Sequence, residues 1–259
     1  MTIIALDSSG TVATVAIARD GRLLAEYTVD NGMTHSQTML PMLDAITKQL
    51  NLKMEEVDAV AVADGPGSFT GLRIGCATAK GIGLAIGKPV IAVPTLEALA
   101  CNVYGTQEMV CPMMNARREQ IYTALYAFTQ EKEEVRSQLE NGEYALEVLE
   151  DQTAEDVREW CHVINSYARP TVLLGDGADD FRSILEEELQ VPYRFAPLHQ
   201  NRQRAGALAM IAMQYYKQGK IQDAAQVRPV YLRKSQAERE REARLAESGT
   251  EGSSFCPAP

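Results

Sequence analysis

Several features that mark particular classes of protein are scarce or missing in this chain of 259 residues. Three histidines and five cysteines are present, and the cysteines are odd in number with no C-x-x-C pair. This set favours free thiols in a reducing compartment over a disulfide framework or a zinc site. No apolar run approaches the roughly 18 residues of a membrane span, and the apolar start before Asp7 is too short for a signal sequence. We therefore expect a soluble, cytoplasmic protein.

Basic charge is also scarce. The formal net charge is −10, from 25 Lys and Arg against 35 Asp and Glu. Because phosphate neutralisation needs a basic patch, the chain as a whole is not expected to be a main nucleic-acid-binding surface. Its small basic clusters are interpreted as solvated surface. These clusters are Arg117 with Arg118, Arg202 with Arg204, and Arg228 with Arg233 and Lys234.

A glycine-rich stretch, DGPGSFTGLRIG at 64–75, organises the middle of the chain. It follows an apolar run at 57–63 with the length of a buried strand, and a proline-free segment of helix length at 72–86 comes next. It fits neither a Walker A loop, which needs lysine after its last glycine, nor the G-x-G-x-x-G dinucleotide fingerprint. The pattern predicts a tight turn that docks a helix on a sheet, with Ser68 or Thr70 as the N-cap.

The helix after this turn carries small residues at a four-residue spacing. Glycine costs about 1 kcal/mol relative to alanine inside a helix, so its presence needs a reason. A row of small residues lets another backbone approach closely, either the chain's own sheet or a partner helix, and both interpretations stay open. One row is Gly75, Ala79 and Gly83, and the other is Ala77, Gly81 and Ala85.

The first half of the chain reads as three strands followed by helices alternating with strands. The strands are expected at 2–6, 11–18 and 22–29, then at 89–93, with a further helix at 96–103. A hairpin turn is expected at Asp20-Gly21. The turn after the first strand contains Asp7, Ser8 and Ser9, which is interpreted as a polar β-turn or as a partial match to the nucleotide turn of actin-like ATPases.

The first helix is predicted from T-H-S-Q at 34–37, which has capping-box spacing. Pro41 should kink this helix or delay its start. His35 is interpreted as a hydrogen-bonded helix-entry residue, because no second histidine lies beside it to form a metal pair. Apolar residues form a seam along the helix that is wider than one sheet contact requires. They are Met39, Leu43, Ile46 and Leu50, with Leu40 and Met42.

The second half repeats this plan less clearly. Strands are expected at 109–114, 120–128 and 171–174, and helices at 154–166, from 178 to about 188, and at 204–218. Trp160, in the first of these helices, should pack in the core or between lobes. A charged turn is expected at 131–134, and the end of the chain should be a charged segment followed by disorder from 248.

Five motifs of the chain match one known family. They are IALDSS at 4–9, THS at 34–36, GPGSFTGLRIG at 65–75, NARREQIY at 115–122 and PVYLR at 229–233. Together they resemble the TsaB (YeaZ) family, a bacterial subunit of the complex that makes threonylcarbamoyladenosine at position 37 of tRNA. The resemblance covers most of residues 1–233. One departure is Asn115, where the family pattern has aspartate before Ala-Arg.

The resemblance implies a duplicated ribonuclease-H-like (actin-like ATPase, ASKHA) α/β fold with two lobes, at 1–105 and 106–234, and a tail at 235–259. It implies a non-catalytic, activating scaffold needed to form N6-threonylcarbamoyladenosine in tRNAs that read codons beginning with adenine. The implied partners are the catalytic paralogue TsaD and the ATPase TsaE. Contact with tRNA would come only through the complex, no membrane is involved, and a homodimer of the chain alone is left open.

No metal or other cofactor is implied for this chain, because ATP and metal are used by the partner subunits. The paralogue holds its metal through a His-Leu-Glu-Gly-His motif and a later aspartate. The matching positions here are Thr95, Leu99 and Gly206, none of which supplies a ligand of the required kind. No catalytic residue is expected.

Family members pair two helices of the N-terminal lobe with two of the partner. The resemblance therefore implies an interface made by residues of the two helices described above. The expected set is Met39, Leu40, Leu43, Ile46, Leu50, Arg73, Gly75, Ala79 and Gly83. Ala79→Arg is then expected to abolish partner binding while leaving the chain folded.

Two other functions remain as alternatives. One is a nucleotide-dependent enzyme of the actin-like superfamily, such as a small-molecule kinase, with Asp7, Ser8 and Ser9 near the nucleotide. The other is a metallopeptidase of the glycoprotease type, which the missing histidines disfavour. Nucleotide binding by the isolated chain would support the first, and bound metal would support the second.

Overall fold

The computed structural model describes residues 1–130 and 144–233. The first half contains β1 (Thr2–Asp7), β2 (Ala13–Arg19), β3 (Arg22–Val29), α1 (His35–Leu50), β4 (Ala59–Gly65), α2 (Phe69–Ile86), β5 (Val90–Pro94) and α3 (Thr95–Ala100). The second half contains β6 (Met109–Asn115), β7 (Gln120–Gln130), β8 (Tyr144–Asp156), α4 (Val157–Ser166), β9 (Thr171–Leu174), α5 (Asp176–Asp180), α6 (Arg182–Glu188), β10 (Tyr193–Phe195) and α7 (Ala205–Lys217).

The strands form two five-stranded sheets with the same topology. The first has the order β3-β2-β1-β4-β5, and the second, read from its β8 edge, has the order β8-β7-β6-β9-β10. In each sheet the first three strands in the chain are antiparallel neighbours. The last two join in parallel register. This repeated order confirms the expected α/β architecture, a duplicated ribonuclease-H-like fold with two lobes.

Helix α1 runs through its proline. It begins at His35 and continues past Pro41 to Leu50, so of the two expected effects of this proline, a kink or a later start, the later start does not occur. Thr34 occupies the N-cap position without a side-chain bond to the backbone, and its hydroxyl instead contacts Gln37 Oε1 at 3.0 Å. Burial of the inner face of the helix offsets the hydrogen bond that proline removes, because tertiary packing supplies most helical stability.

Helix α2 begins earlier than predicted, at Phe69. The hydroxyl of Ser68 accepts a hydrogen bond from Gly71 N at 3.3 Å and caps the helix, as expected for this position. Gly87 ends the helix in the left-handed conformation, with φ of 65°. The Asp20-Gly21 hairpin turn is also present, with positive φ at both residues.

The second half differs more from its prediction. Strands β8 and β10 were not expected, and residues 154–156 belong to β8, so α4 starts at Val157 with Asp156 as its side-chain cap. The helix expected after Gly177 is divided into α5 and α6. The predicted turn at 131–134 and the predicted tail at 235–259 lie outside the described residues.

Three hydrophobic clusters stabilise this arrangement. One lies between the first sheet and helices α1 and α2. A second lies on the outer face of the second sheet and includes Trp160, whose indole N–H donates to Cys111 Sγ at 3.3 Å. The third joins both sheets through α3 and α7. The division of the chain at residue 105 stays a prediction, and α7, although late in sequence, contacts β1 and β2 of the first sheet.

No helix in the described part of the chain combines the length and apolar character needed to cross a bilayer.

Candidate functional site

The turn after β1 is buried by surrounding residues of the same chain. Asp7 is buried, and its Oδ1 accepts hydrogen bonds from the backbone N–H of Ser9 at 2.8 Å and from the Ser9 hydroxyl at 2.6 Å. Burial raises the pKa of Asp7 from 3.8 to about 6, against the lowering effect of the Ser9 hydrogen bonds. The turn therefore has the polar hydrogen bonding expected of a β-turn, with its carboxylate enclosed.

The glycine-rich loop closes over this turn. Ser68 N–H donates to the Ser9 carbonyl oxygen at 2.7 Å, and the Ser8 hydroxyl donates to the carbonyl oxygen of Gly71 at 2.9 Å. A Cβ atom added at Gly67 or Gly71 would lie closer than 3.0 Å to a carbonyl oxygen of the turn. These glycines are required by close backbone approach, which agrees with a tight turn that docks α2 on the sheet.

The PVYLR motif crosses from one lobe to the other. Val230 N–H donates to the carbonyl oxygen of Asp64 at 2.7 Å, and the Tyr231 ring lies 4.5 Å from that of Phe69 between centroids. The Tyr231 hydroxyl accepts from Arg73 Nε at 3.1 Å. On the other side, an Arg233 guanidinium N–H donates to the Ala116 carbonyl oxygen at 2.9 Å. The segment thus contacts the end of β4, the start of α2 and the loop that follows β6.

A cleft of about 780 Å³ lies between the lobes beside this segment. Its second-lobe wall is built around Asn115, whose Nδ2 donates to Asp180 Oδ2 at 2.6 Å and whose Oδ1 accepts from Arg117 N–H at 2.6 Å. Asp176 also lines the cleft, and burial raises its pKa despite the nearby Arg202 guanidinium. The side chain of Asn115 therefore does make a polar contact, and its neutral amide suits the carboxylate that it faces.

His35 lies at the start of α1 with its Nε2 3.0 Å from the carbonyl oxygen of Gly10. The interpretation of this residue as a hydrogen-bonded helix-entry residue is confirmed.

The three positions matched to the paralogue's metal ligands have structural roles in this chain. Thr95 and Leu99 are fully buried, Leu99 among the apolar side chains between the sheets. Gly206 N–H donates to Glu26 Oε1 at 2.8 Å. Within residues 1–130 and 144–233, no group of three or more His, Cys, Asp or Glu side chains is placed to hold a metal ion.

Most residues of the expected interface face the chain's own core. The seam of α1 packs against the first sheet, and the α2 row of Gly75, Ala79 and Gly83 lies against the same layer. Added Cβ atoms at Gly75 and Gly83 would lie closer than 3.0 Å to Ser8 and Ala224. These residues are therefore buried against the chain's own sheet, and their expected contact with a partner stays a prediction. The residues concerned are Met39, Leu43, Ile46, Gly75, Ala79 and Gly83.

The opposite faces of the two helices remain exposed. Leu40 on α1 is 53% exposed and Leu84 on α2 is 56% exposed. Arg73 is exposed and Leu50 is half-buried. The second small-residue row of α2, which sequence analysis identified without assigning it to the interface, points outward. We call the exposed set the outer helix face: Leu40, Arg73, Ala77, Gly81, Leu84 and Ala85.

The repeated sheet topology and the cleft between two lobes place this chain in the class of actin-like (ASKHA) folds. Residues 30–241 match the family model described as TsaD, tRNA N6-adenosine threonylcarbamoyltransferase. The chain is 30% identical to the tRNA threonylcarbamoyladenosine biosynthesis protein TsaB of Bacillus subtilis, over 92% of this chain and 96% of that protein. It is 28% identical to the protein of the same name from Escherichia coli, over 92% and 96% of the two chains.

A solved structure gives the same result. YeaZ from Pseudomonas aeruginosa aligns with a TM-score of 0.68 and 27% identity, covering 89% of this chain and 99% of that chain. The chain belongs to the TsaB (YeaZ) family.

Proposed function

We propose that this chain is a non-catalytic, activating subunit for the formation of N6-threonylcarbamoyladenosine at position 37 of tRNAs that read codons beginning with adenine. The names of the Bacillus subtilis and Escherichia coli relatives refer to tRNA threonylcarbamoyladenosine biosynthesis, and this supports a role in that pathway. The observation that carries the non-catalytic role is the use of Thr95, Leu99 and Gly206 as core or backbone positions, where the catalytic paralogue is expected to hold its metal. A cytoplasmic location fits such a subunit and agrees with the buried free cysteines of the described residues, which are Cys76, Cys101, Cys111 and Cys161.

The proposed partner is TsaD, bound through the outer helix face. Two exposed leucines flank a row of small residues there, and a helix of the partner can approach such a row closely. The buried rows of the same helices pack α1 and α2 on the sheet. This packing fixes the position of the outer row. The ATPase TsaE would join the resulting complex, and the same face would permit a homodimer when TsaD is absent.

The nucleotide-dependent alternative has less support. The Asp7 carboxylate is enclosed, and the Ser8 and Ser9 hydroxyls already bond to Gly71 and Asp7. A carboxylate that acts on a nucleotide must reach it, so these three residues are proposed to hold the turn together rather than to contact phosphate.

The function is tested by reconstituting tRNA threonylcarbamoylation with TsaD and TsaE, with and without this chain. Modification is expected to require the chain, and binding of TsaD should be lost when the outer helix face is altered. If modification proceeds equally without the chain, the activating role is wrong, whatever the family membership.

A further inference from the structure

The cleft between the lobes has a rim of arginines without carboxylate partners. Arg73, Arg117 and Arg233 line the cleft, and Arg118 follows in the same turn as Arg117. Within the described ranges, 1–130 and 144–233, no ion pair within 4.0 Å involves any of these four guanidiniums. This is a local excess of positive charge on a chain whose net charge is −10.

Several other arginines in the described part of the chain pair with carboxylates. Arg202 is paired with Asp179 at 2.9 Å and Arg204 is paired with Glu26. Sequence analysis interpreted both this cluster and that of Arg117 with Arg118 as solvated surface, and the structure distinguishes the two. Arg202 and Arg204 are paired with carboxylates of the chain, whereas Arg117 and Arg118 are exposed and Arg117 lines the cleft.

The turn that carries the exposed pair has an unusual backbone. Arg117, Arg118 and Glu119 all have positive φ, at 65°, 58° and 56°. Residues other than glycine rarely adopt a backbone with positive φ. The hydrogen bonds of the turn hold three such residues in a row here. Asn115 Oδ1 accepts from Arg117 N–H, and Ala116 N–H donates to the Gln120 carbonyl oxygen at 2.8 Å. The turn is therefore closed on itself, and its arginine side chains take no part in closing it.

The first-lobe wall of the cleft adds groups suited to a nucleotide unit. Helix α2, 18 residues long, begins there with no acidic residue in its first turn, which leaves the positive end of its dipole unopposed. Tyr231 is 38% exposed and stacks on Phe69, with the Arg73 guanidinium 3.9 Å from the Phe69 centroid. An exposed aromatic ring beside arginines is the arrangement on which single-stranded nucleic-acid bases stack.

Two carboxyl groups also line the cleft, and their negative charge would repel an anion. Asp180 accepts a hydrogen bond from Asn115 Nδ2, and burial raises the pKa of Asp176 above its usual value. Among the described residues, neither carboxyl group forms an ion pair within 4.0 Å with a rim arginine.

We infer that this arginine rim binds phosphate groups, with Arg117 and Arg118 as the main contacts, Arg73 and the start of α2 beside them, and Tyr231 available to stack a base. Guanidinium groups bind phosphate oxygens through paired hydrogen bonds, which makes arginine well suited to this role. The phosphates could belong to an RNA backbone or to a free polyphosphate. The inference concerns groups of this chain alone, and of these only Arg73 also belongs to the outer helix face.

The test uses the full chain with two probes at low salt: an unmodified tRNA transcript, followed by fluorescence anisotropy, and inorganic tripolyphosphate, followed by calorimetry. Arg117→Glu is expected to weaken binding about tenfold, because it replaces a phosphate contact by a repulsive charge. Arg118→Glu, in the same turn, should act in the same direction. Arg169→Glu is the matched control, since Arg169 is exposed and lies at the opposite end of β9 from the cleft.

The control should change affinity by less than about twofold, and binding should fall steeply as salt rises. Binding of tRNA alone identifies an RNA backbone, and binding of both probes identifies a compact polyphosphate site; each supports the rim. The inference is overturned if neither probe binds, or if Arg169→Glu weakens binding as much as both cleft variants. Matching thermal unfolding curves for the variants would exclude misfolding as the cause of a loss.

Discussion

The hydroxyl of Ser8 donates a hydrogen bond to the carbonyl oxygen of Gly71 at 2.9 Å, and it joins the turn after the first strand to the first turn of α2. The two residues are 63 positions apart in sequence. The bond is possible because Gly71 has no side chain where the backbone of Ser8 passes. The glycine-rich stretch thus allows the turn after β1 and helix α2 to pack closely together.

Gly71→Ala should lower the free energy of unfolding by about 2–4 kcal/mol, because the added methyl group meets a carbonyl oxygen and the two backbones must separate. Gly81→Ala is the matched control in the same helix, since nothing lies within 4 Å of its added Cβ. That variant should gain about 0.5–1 kcal/mol from helix propensity. Urea unfolding measures both. Equal stability of the two variants would contradict the packing role of Gly71.

Ala77→Arg should abolish capture of TsaD while leaving the chain folded, because Ala77 is exposed on the outer helix face. Ala79→Arg, two residues away, should instead unfold the chain, because Ala79 is fully buried and a guanidinium without a partner cannot be accommodated there. This reverses the earlier expectation for Ala79. Pull-down with TsaD, together with circular dichroism of both variants, checks the pair. Normal capture by folded Ala77→Arg would remove this face from the proposed interface.

Asp7→Asn should make the stability of the chain less sensitive to pH. Burial raises the folded pKa of Asp7 from 3.8 to about 6, so ionisation of this group destabilises the fold as the pH rises toward and through 6. Wild type and variant should therefore be similar near pH 4, and the variant should be more stable near pH 8, by up to about 3 kcal/mol.

The comparison is made by urea unfolding at the two pH values. The exposed Asp30→Asn carries the same chemical change outside the turn and should follow wild type. Asp7→Asn is also expected to keep its activity in tRNA modification, since its carboxylate is given no catalytic role. A variant that is folded but inactive would favour the nucleotide-dependent alternative.

Asn115→Asp should destabilise the chain at neutral pH by about 1 kcal/mol, because a second carboxylate would then face Asp180 across 2.6 Å in a partly exposed site. The loss should shrink in acid, where carboxylates are protonated. Combining it with Asp180→Asn exchanges the two groups and should restore stability. Thermal unfolding of the single and double variants checks this, and failure of the exchange to restore stability would mean that Asp180 is not the cause.

Much of the architecture could be read from local patterns. Buried strands such as β1, β4 and β9 are short apolar runs with turn residues at their ends, and the α2 cap follows from Ser68 before a proline-free segment. Strand β8 was missed because its many acidic residues resemble a solvated segment, and β10 was missed because three residues carry too little pattern. The duplicated topology came from the family resemblance and was confirmed by the two sheet orders.

The site could be predicted only in part. The motifs identified the turn at Asp7, the glycine loop and PVYLR as important, but not that Tyr231 stacks on Phe69, a contact 162 positions apart by residue number. Likewise the sequence showed two small-residue rows on α2 without indicating which one faces inward. Local spacing carries no information about the direction in which a helix is placed on its sheet.

The sequence by itself determined the class of elements, the family, and the loss of the metal-ligand types at three positions, because these depend on residue type and short-range spacing. Only the tertiary structure decided which helix row is buried, which arginines are neutralised and which remain exposed at the cleft. Those outcomes depend on long-range contacts between surfaces, such as Glu26 meeting Arg204 across 178 positions. Charge pairing and burial are properties of neighbours in space, which the order of residues along the chain does not specify.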